Sequence, residues 1–332
     1  MAGGWKLGAG MIRPFDMRDL PLFARVKDRG LCLASQLALT RGPQALQAML
    51  LDAFSGARGP ATIVVRSDAA AGIGQLLHRP DQPHARLAFI APAELVEAAA
   101  GIELLEGLVR SAGERGAHHL IAEVDEDSPA FPILRQVGFA IYARQRIWAL
   151  NPAVPVGDHQ AASLLWRPET RKDAGSILSL YASLVPGLVQ QVEPTSDRVG
   201  TGLVHGSDDE LLGYIDIERG PLGEWIQPYF HPAAVKAEPL LAAFLATRDG
   251  GRPLYACVRS YQSWMHGALQ RLGFEPAHDQ AVMVRRMVAF IREPAPAAST
   301  ALERARAEPT APFAGSTRHP APSTQSLDRE NA

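Results

Sequence analysis

A chain of 332 residues is long enough for two ordinary domains of about 100–200 residues each. With 47% hydrophobic and 20% charged residues it can bury a good core, and a formal net charge of −2 excludes a global field that would draw it to nucleic acid or an anionic membrane. Cys32 and Cys257 lie far apart, match no metal spacing and offer no disulfide framework, so no metal is expected and the reducing cytoplasm is the expected location. The opening "MAGGWKLGAGMIRPF" lacks the basic and apolar segments of a signal peptide. No apolar run approaches the ~20 residues needed to cross a bilayer, so no membrane association is expected.

In chain order, "MIRPF" (11–15) reads as a short strand ended by Pro14, which has no backbone hydrogen to donate. Asp16 suits the N-cap of a helix through Leu22, Phe23 and Val26. Three strands follow, "ATIVVRS" (61–67), "AGIGQLLH" (71–78) and "ARLAFIAP" (85–92). Apolar residues at 104, 105, 108, 109 and 112 then keep the 3.6 period of a helix. "HLIAEV" (119–124) is apolar and of strand length, and a short helix closes on "ILRQVGF" (133–139) before a last strand.

The second half runs through the same series. "LLWRP" (164–168) precedes Glu169 or Thr170, either of which can open a helix carrying Ile177, Leu180 and Leu184. The strands "TGLVHG" (201–206), "ELLGYIDIE" (210–218) and "GEWIQPYFHP" (223–232) come next, then a helix, "LYACV" (254–258), and a short helix ending in "ALQRLGF" (268–274). "IRPFDMRDL" (12–20) matches "WRPETRKDA" (166–174), "FIAP" (89–92) matches "YFHP" (229–232), and "ILRQVGF" matches "ALQRLGF". The matches keep one order, which predicts a tandem duplication. Each copy reads βααβββαβαβ, a mixed sheet of antiparallel hairpins followed by parallel strands with helical crossovers. The expected domains are 11–150 and 163–292, joined by the Pro-containing linker 151–162. A Pro-, Ala-, Ser- and Thr-rich tail over 293–332 is expected to be disordered.

This α/β order, with "IRP" and "WRP" opening the copies, "YFHP" ending a fourth strand and "GF" after each penultimate helix, resembles the GNAT superfamily of N-acetyltransferases in tandem. The resemblance implies acetyl-CoA as cosubstrate. Its pantetheine arm would lie between splayed fourth and fifth strands, and its pyrophosphate on a Gly-rich loop at the next helix start, where free amides and the helix dipole favour phosphate. It also implies an amine acceptor, on a small molecule or a protein. The first copy's loop, "APAELVEAAAGIELL" (91–105), keeps Gly101 but has Ala98 and Glu103 at the other two motif positions. The second, "HPAAVKAEPLL" (231–241), has no glycine; Tyr229, Phe230, His231, Lys236 and Ala237 are its cofactor-binding candidates.

Many family members place a tyrosine four residues before the Gly of "GF" as general acid, and here that position is Leu134 or Leu269. The substitutes are Tyr255 and Tyr261. Glu224 on the fourth strand is the candidate general base, with a solvated strand end as its other reading. Trp264 and Met265 read as core. Two functions stay open: an acetyl-CoA-dependent N-acyltransferase working through the second copy, and a pseudo-enzyme whose clefts bind another ligand or a partner protein.

Overall fold

The computed structural model describes residues 5–7, 10–42, 60–67, 70–80, 82–152, 165–194, 201–207, 210–231, 237–248 and 250–287. The expected linker (from residue 153), the tail and Lys236 with the loop before it therefore fall outside the described residues. In the first half, strands β1 (Trp5–Leu7) and β2 (Gly10–Pro14) lead through a 3-10 turn to helix α1 (Leu20–Val26). The short β3 (Leu31–Cys32) and α2 (Ser35–Arg41) follow, then β4 (Ala61–Arg66), β5 (Ala71–His78), β6 (His84–Ala91), α3 (Ala99–Glu114), β7 (His119–Asp125), α4 (Ala130–Gln136) and β8 (Ala140–Leu150).

The second half runs β9 (Arg167–Pro168), α5 (Ala174–Leu184), α6 (Gly187–Val192), β10 (Leu203–Gly206), β11 (Leu211–Arg219), β12 (Glu224–Phe230), α7 (Ala237–Ala246), β13 (Leu254–Arg259), α8 (His266–Arg271) and β14 (Glu275–Arg286), with no counterpart of β1 or β3 among the described residues. No helix among the described residues is long and apolar enough to cross a membrane.

The Arg-Pro pairs that open the halves have a structural use. Arg13 grips the fully buried Asp19 carboxylate with two hydrogen bonds of 2.6 and 2.8 Å, and Arg167 grips Asp173 at 2.9 and 2.7 Å. Each aspartate also accepts from the backbone amide three residues back, at Asp16 and Thr170, closing a capping box. Thr170, not Glu169, thus opens the second helical segment. Glu169 instead accepts from the Thr201 amide at 3.2 Å.

All described strands belong to one mixed sheet ordered β1-β2-β4-β5-β6-β7-β14-β8-β13-β12-β11-β10-β9, with β3 beside β6. The last strands interleave at its centre. β14 separates β7 from β8, β8 separates β14 from β13, and all three contacts are antiparallel. Because side chains alternate across a strand, each central strand supplies several cores. Ala281 and Met283 of β14 join Leu104, Leu105 and Leu108 of α3, whereas Val282 and Val284 join α5 and α6 on the opposite face. Trp148 and Leu150 of β8 complete the core beneath α7 with Leu240, Leu241 and Phe244. Met265 is buried there, but Trp264, which the sequence placed in the core, is 45% exposed. It lies one position from Met265 in a 3-10 turn whose buried positions are Gln262 and Met265, three residues apart on one face.

The repeated Gly-Phe ending is a helix stop. Gly138 and Gly273 have φ of +87° and +85°, the left-handed conformation that ends a helix, and each turn places a buried Phe (Phe139, Phe274) in the core. At Gly273 an added Cβ would meet nothing closer than 3.7 Å, so Gly273→Ala tests the backbone alone. It should destabilise the protein by about 1–2 kcal/mol, read as a lower denaturant midpoint at unchanged slope; an unchanged midpoint would rule out the left-handed turn.

Candidate functional site

Two places in the sheet have neighbouring strands that part. β6 and β7 pair in parallel only from His84↔His119 to Arg86↔Ile121, and β12 and β13 only from Glu224↔Leu254 to Ile226↔Ala256. Beyond those registers each pair diverges.

In the first half the gap is filled by the chain itself. Leu31 and Cys32 of β3 pair with Ile90 and Phe89 of β6. The Leu33 amide donates to Ala88 O at 3.0 Å, and the Glu123 amide of β7 donates to Leu33 O at 2.9 Å. Leu33 thereby bridges the strands, and the backbone groups a ligand would use are already satisfied. Gly101 is likewise committed: a Cβ there would stand 2.2 Å from Leu95 O, so its glycine serves close packing of the turn onto α3. The residues present do not fit a pantetheine arm or a pyrophosphate.

In the second half, no described strand enters the corresponding gap. The Glu224 amide donates toward β13, to Pro253 O at 2.9 Å, and the His231 amide donates toward β11, to Leu212 O at 3.0 Å. Alternation then turns the backbone of Ile226, Pro228 and Phe230 toward the gap. Pro228 has no amide hydrogen, and its carbonyl accepts from Gln262 Nε2 at 2.7 Å. The gap is lined by few free donors, but no described backbone fills it.

The sequence-derived site residues fall into separate groups. Tyr229 and Tyr261 come together on the face covered by α5 and α6, where Tyr229 lies 5.6 Å from Tyr181 and 6.1 Å from Tyr214 between ring centroids. Burial raises the pKa of both the Tyr229 and Tyr261 phenols, so they stay protonated at neutral pH. Phe230 points the other way, into the α7 core against Trp166. His231 lies just past β12, and Ala237, buried, begins α7. Glu224 and Tyr255 sit at the other end of the paired strands, roughly 17 Å along β12 from Tyr229 at ~3.3 Å per residue. There Glu224 accepts from Arg248 Nε at 2.8 Å, and Tyr255 packs with Trp225, Ile147 and Leu39.

Sequence reasoning did not find the polar cluster at the sheet centre, close to the second gap. Glu193, just after α6, accepts from Arg259 at 2.7 Å, from Arg86 at 3.0 Å and from the Tyr142 hydroxyl. Arg86 also donates to Glu123 at 3.0 Å, and Glu123 accepts from the Ser35 amide at 2.7 Å. Ser35 Oγ and Gln145 both donate to Gln280 Oε1, at 2.7 and 2.9 Å. Burial alone would raise the Glu193 pKa, but Arg259, Arg86 and Tyr142 together hold it down to about 2. The members come from seven segments and share no local motif, so only the strand interleaving brings them together.

No family model matches the sequence, and no curated protein does. Solved structures do. A GCN5-related N-acetyltransferase from Sphaerobacter thermophilus is 15% identical with TM-score 0.52, covering 84% of this chain and 96% of its own. A Pyrococcus horikoshii protein classed as an acetyltransferase is 12% identical with TM-score 0.50, covering 86% and 92%. The chain shares the GNAT acetyltransferase fold.

Proposed function

We propose that this chain is an acetyl-CoA-dependent N-acyltransferase in which the second half binds the donor and the first half is structural. One observation carries this reading: the gap between β12 and β13 is free of described backbone, while the equivalent gap between β6 and β7 is closed by β3. In this reading Tyr229 and His231 stand at the gap's exit, and Ala237 lets phosphate approach the start of α7. Lys236 would supply a positive charge there. An acceptor amine attacks the thioester carbonyl, the C–S bond breaks, and the amine nitrogen gives up one proton as the leaving thiolate takes up one, so amide and free thiol form with no net proton change. Tyr261, held protonated by burial and next to Gln262, which reaches Pro228 in the gap, is the phenol we assign to this transfer.

A second reading is favoured by Pro228 and Leu269, which remove a backbone donor and a phenol: the second half then holds the donor without transferring it. Titration calorimetry with acetyl-CoA should give one site per chain. Zero sites would sink both readings, and two would overturn the role of β3. Free-thiol release with a panel of amines separates transfer from binding alone, since binding without release leaves only the second reading.

A further inference from the structure

The end of β13 carries polar groups that the protein leaves unused. Arg259 is 2% exposed, and its Nη2 donates to Glu193, but its Nε and Nη1 have no partner among the described residues. Gln262 is 3% exposed and ties Nε2 to Pro228 O, but its Oε1 accepts from no described residue. Unmet buried polar groups are costly, a charged one most of all, so three such atoms on two residues only three positions apart call for a ligand to complete them.

The chemistry selects the ligand. Free N–H groups of a guanidinium ask for an oxyanion, and a free amide oxygen asks for an N–H donor. Around them stand Tyr181, Tyr229 and Tyr261, whose ring faces favour a cation. The cluster already balances two guanidiniums, Arg86 and Arg259, with two carboxylates, Glu123 and Glu193. A phosphate dianion would leave net charge buried, whereas a molecule carrying both a carboxylate and an ammonium would not. We infer that Arg259 and Gln262 form the recognition site for an amino acid, the carboxylate on Arg259 and the amino group on Gln262 Oε1. This deepens the acyltransferase reading, on which it rests for the amino acid's role as acceptor; the binding itself needs no donor.

The experiment titrates the full chain, without acetyl-CoA, with each L-α-amino acid, with its carboxamide and with inorganic phosphate, by calorimetry and thermal shift. At least one amino acid should bind, its carboxamide at least about tenfold more weakly, and phosphate not at all. Arg259→Lys keeps the charge facing Glu193 but removes Nε and Nη1, and should lose about tenfold in amino-acid affinity. If that variant does not fold, the acid-to-carboxamide ratio on the wild-type chain decides. No amino-acid binding, equal binding of acid and carboxamide, or stronger binding of phosphate overturns the inference. Acetyl-CoA binding without amino-acid binding sinks this site and spares the donor site; the reverse result spares this site and sinks the donor reading.

Discussion

Replacing Glu193 by glutamine should cost the folded protein about 3–5 kcal/mol, the typical penalty for removing one partner of a buried ion pair. The reason is what remains. Arg259, 2% exposed, loses its counter-charge, and Arg86 keeps only that of Glu123. Urea unfolding should show a lower midpoint at similar slope. A loss below about 1 kcal/mol would mean that the pair is solvated and carries surface-like energy. Removing charge on both sides, as Glu193→Gln with Arg259→Met, should recover part of the loss, because no lone cation stays buried. The same carboxylate predicts an acid limb. Its pKa falls from the ordinary 4.5 to about 2 on folding, so its contribution is complete above about 4.5 and is lost as pH falls toward 2. Glu193→Gln should flatten that limb; an identical acid limb in the variant would assign it to other carboxylates.

The elements were legible because their signals are local. The apolar positions of α3, the runs read as hairpin strands and the Gly-Phe stops follow from the chain's own geometry, and each fell where the sequence put it. Two things were not legible. The first is strand order at the centre: β8 and β14 present buried residues on both faces, as "YARQRIWAL" and "QAVMVRR", and nothing in either pattern says which neighbour it takes. The second is the site. Glu224 and Tyr255 were singled out by strand position, but their spacing along β12 and β13 separates them from Tyr229 and Tyr261. Glu193 and Arg259 were passed over because a lone Glu after a helix and a lone Arg at a strand end look solvated in sequence. Only burial distinguishes them.

Ending the chain at Phe274, before β14, should unfold the first half although every residue removed belongs to the second. β14 pairs with β7 through seven consecutive residues, Gln280↔Asp125 to Arg286↔His119, and holds β8 on its other edge. Without it, β7 and β8 become separate edges with unpaired backbone. The first-half core loses Met283, and the face under α5 and α6 loses Val282 and Val284. Three such side chains at about 1.5–3 kcal/mol each amount to roughly 5–9 kcal/mol, comparable to the whole stability of a typical domain at about 5–15. Gln280 also leaves, so Ser35 and Gln145 lose their shared acceptor beside the Glu123 pair. Hydrogen exchange reads the effect where it is most specific. The amides of His119–Asp125 should exchange orders of magnitude faster in the shortened chain, together with the strands of β4–β6 behind them. If β7 keeps its protection while only the second half loosens, then β8 has closed onto β7 in place of β14, and the interleaved order is not what holds the first half.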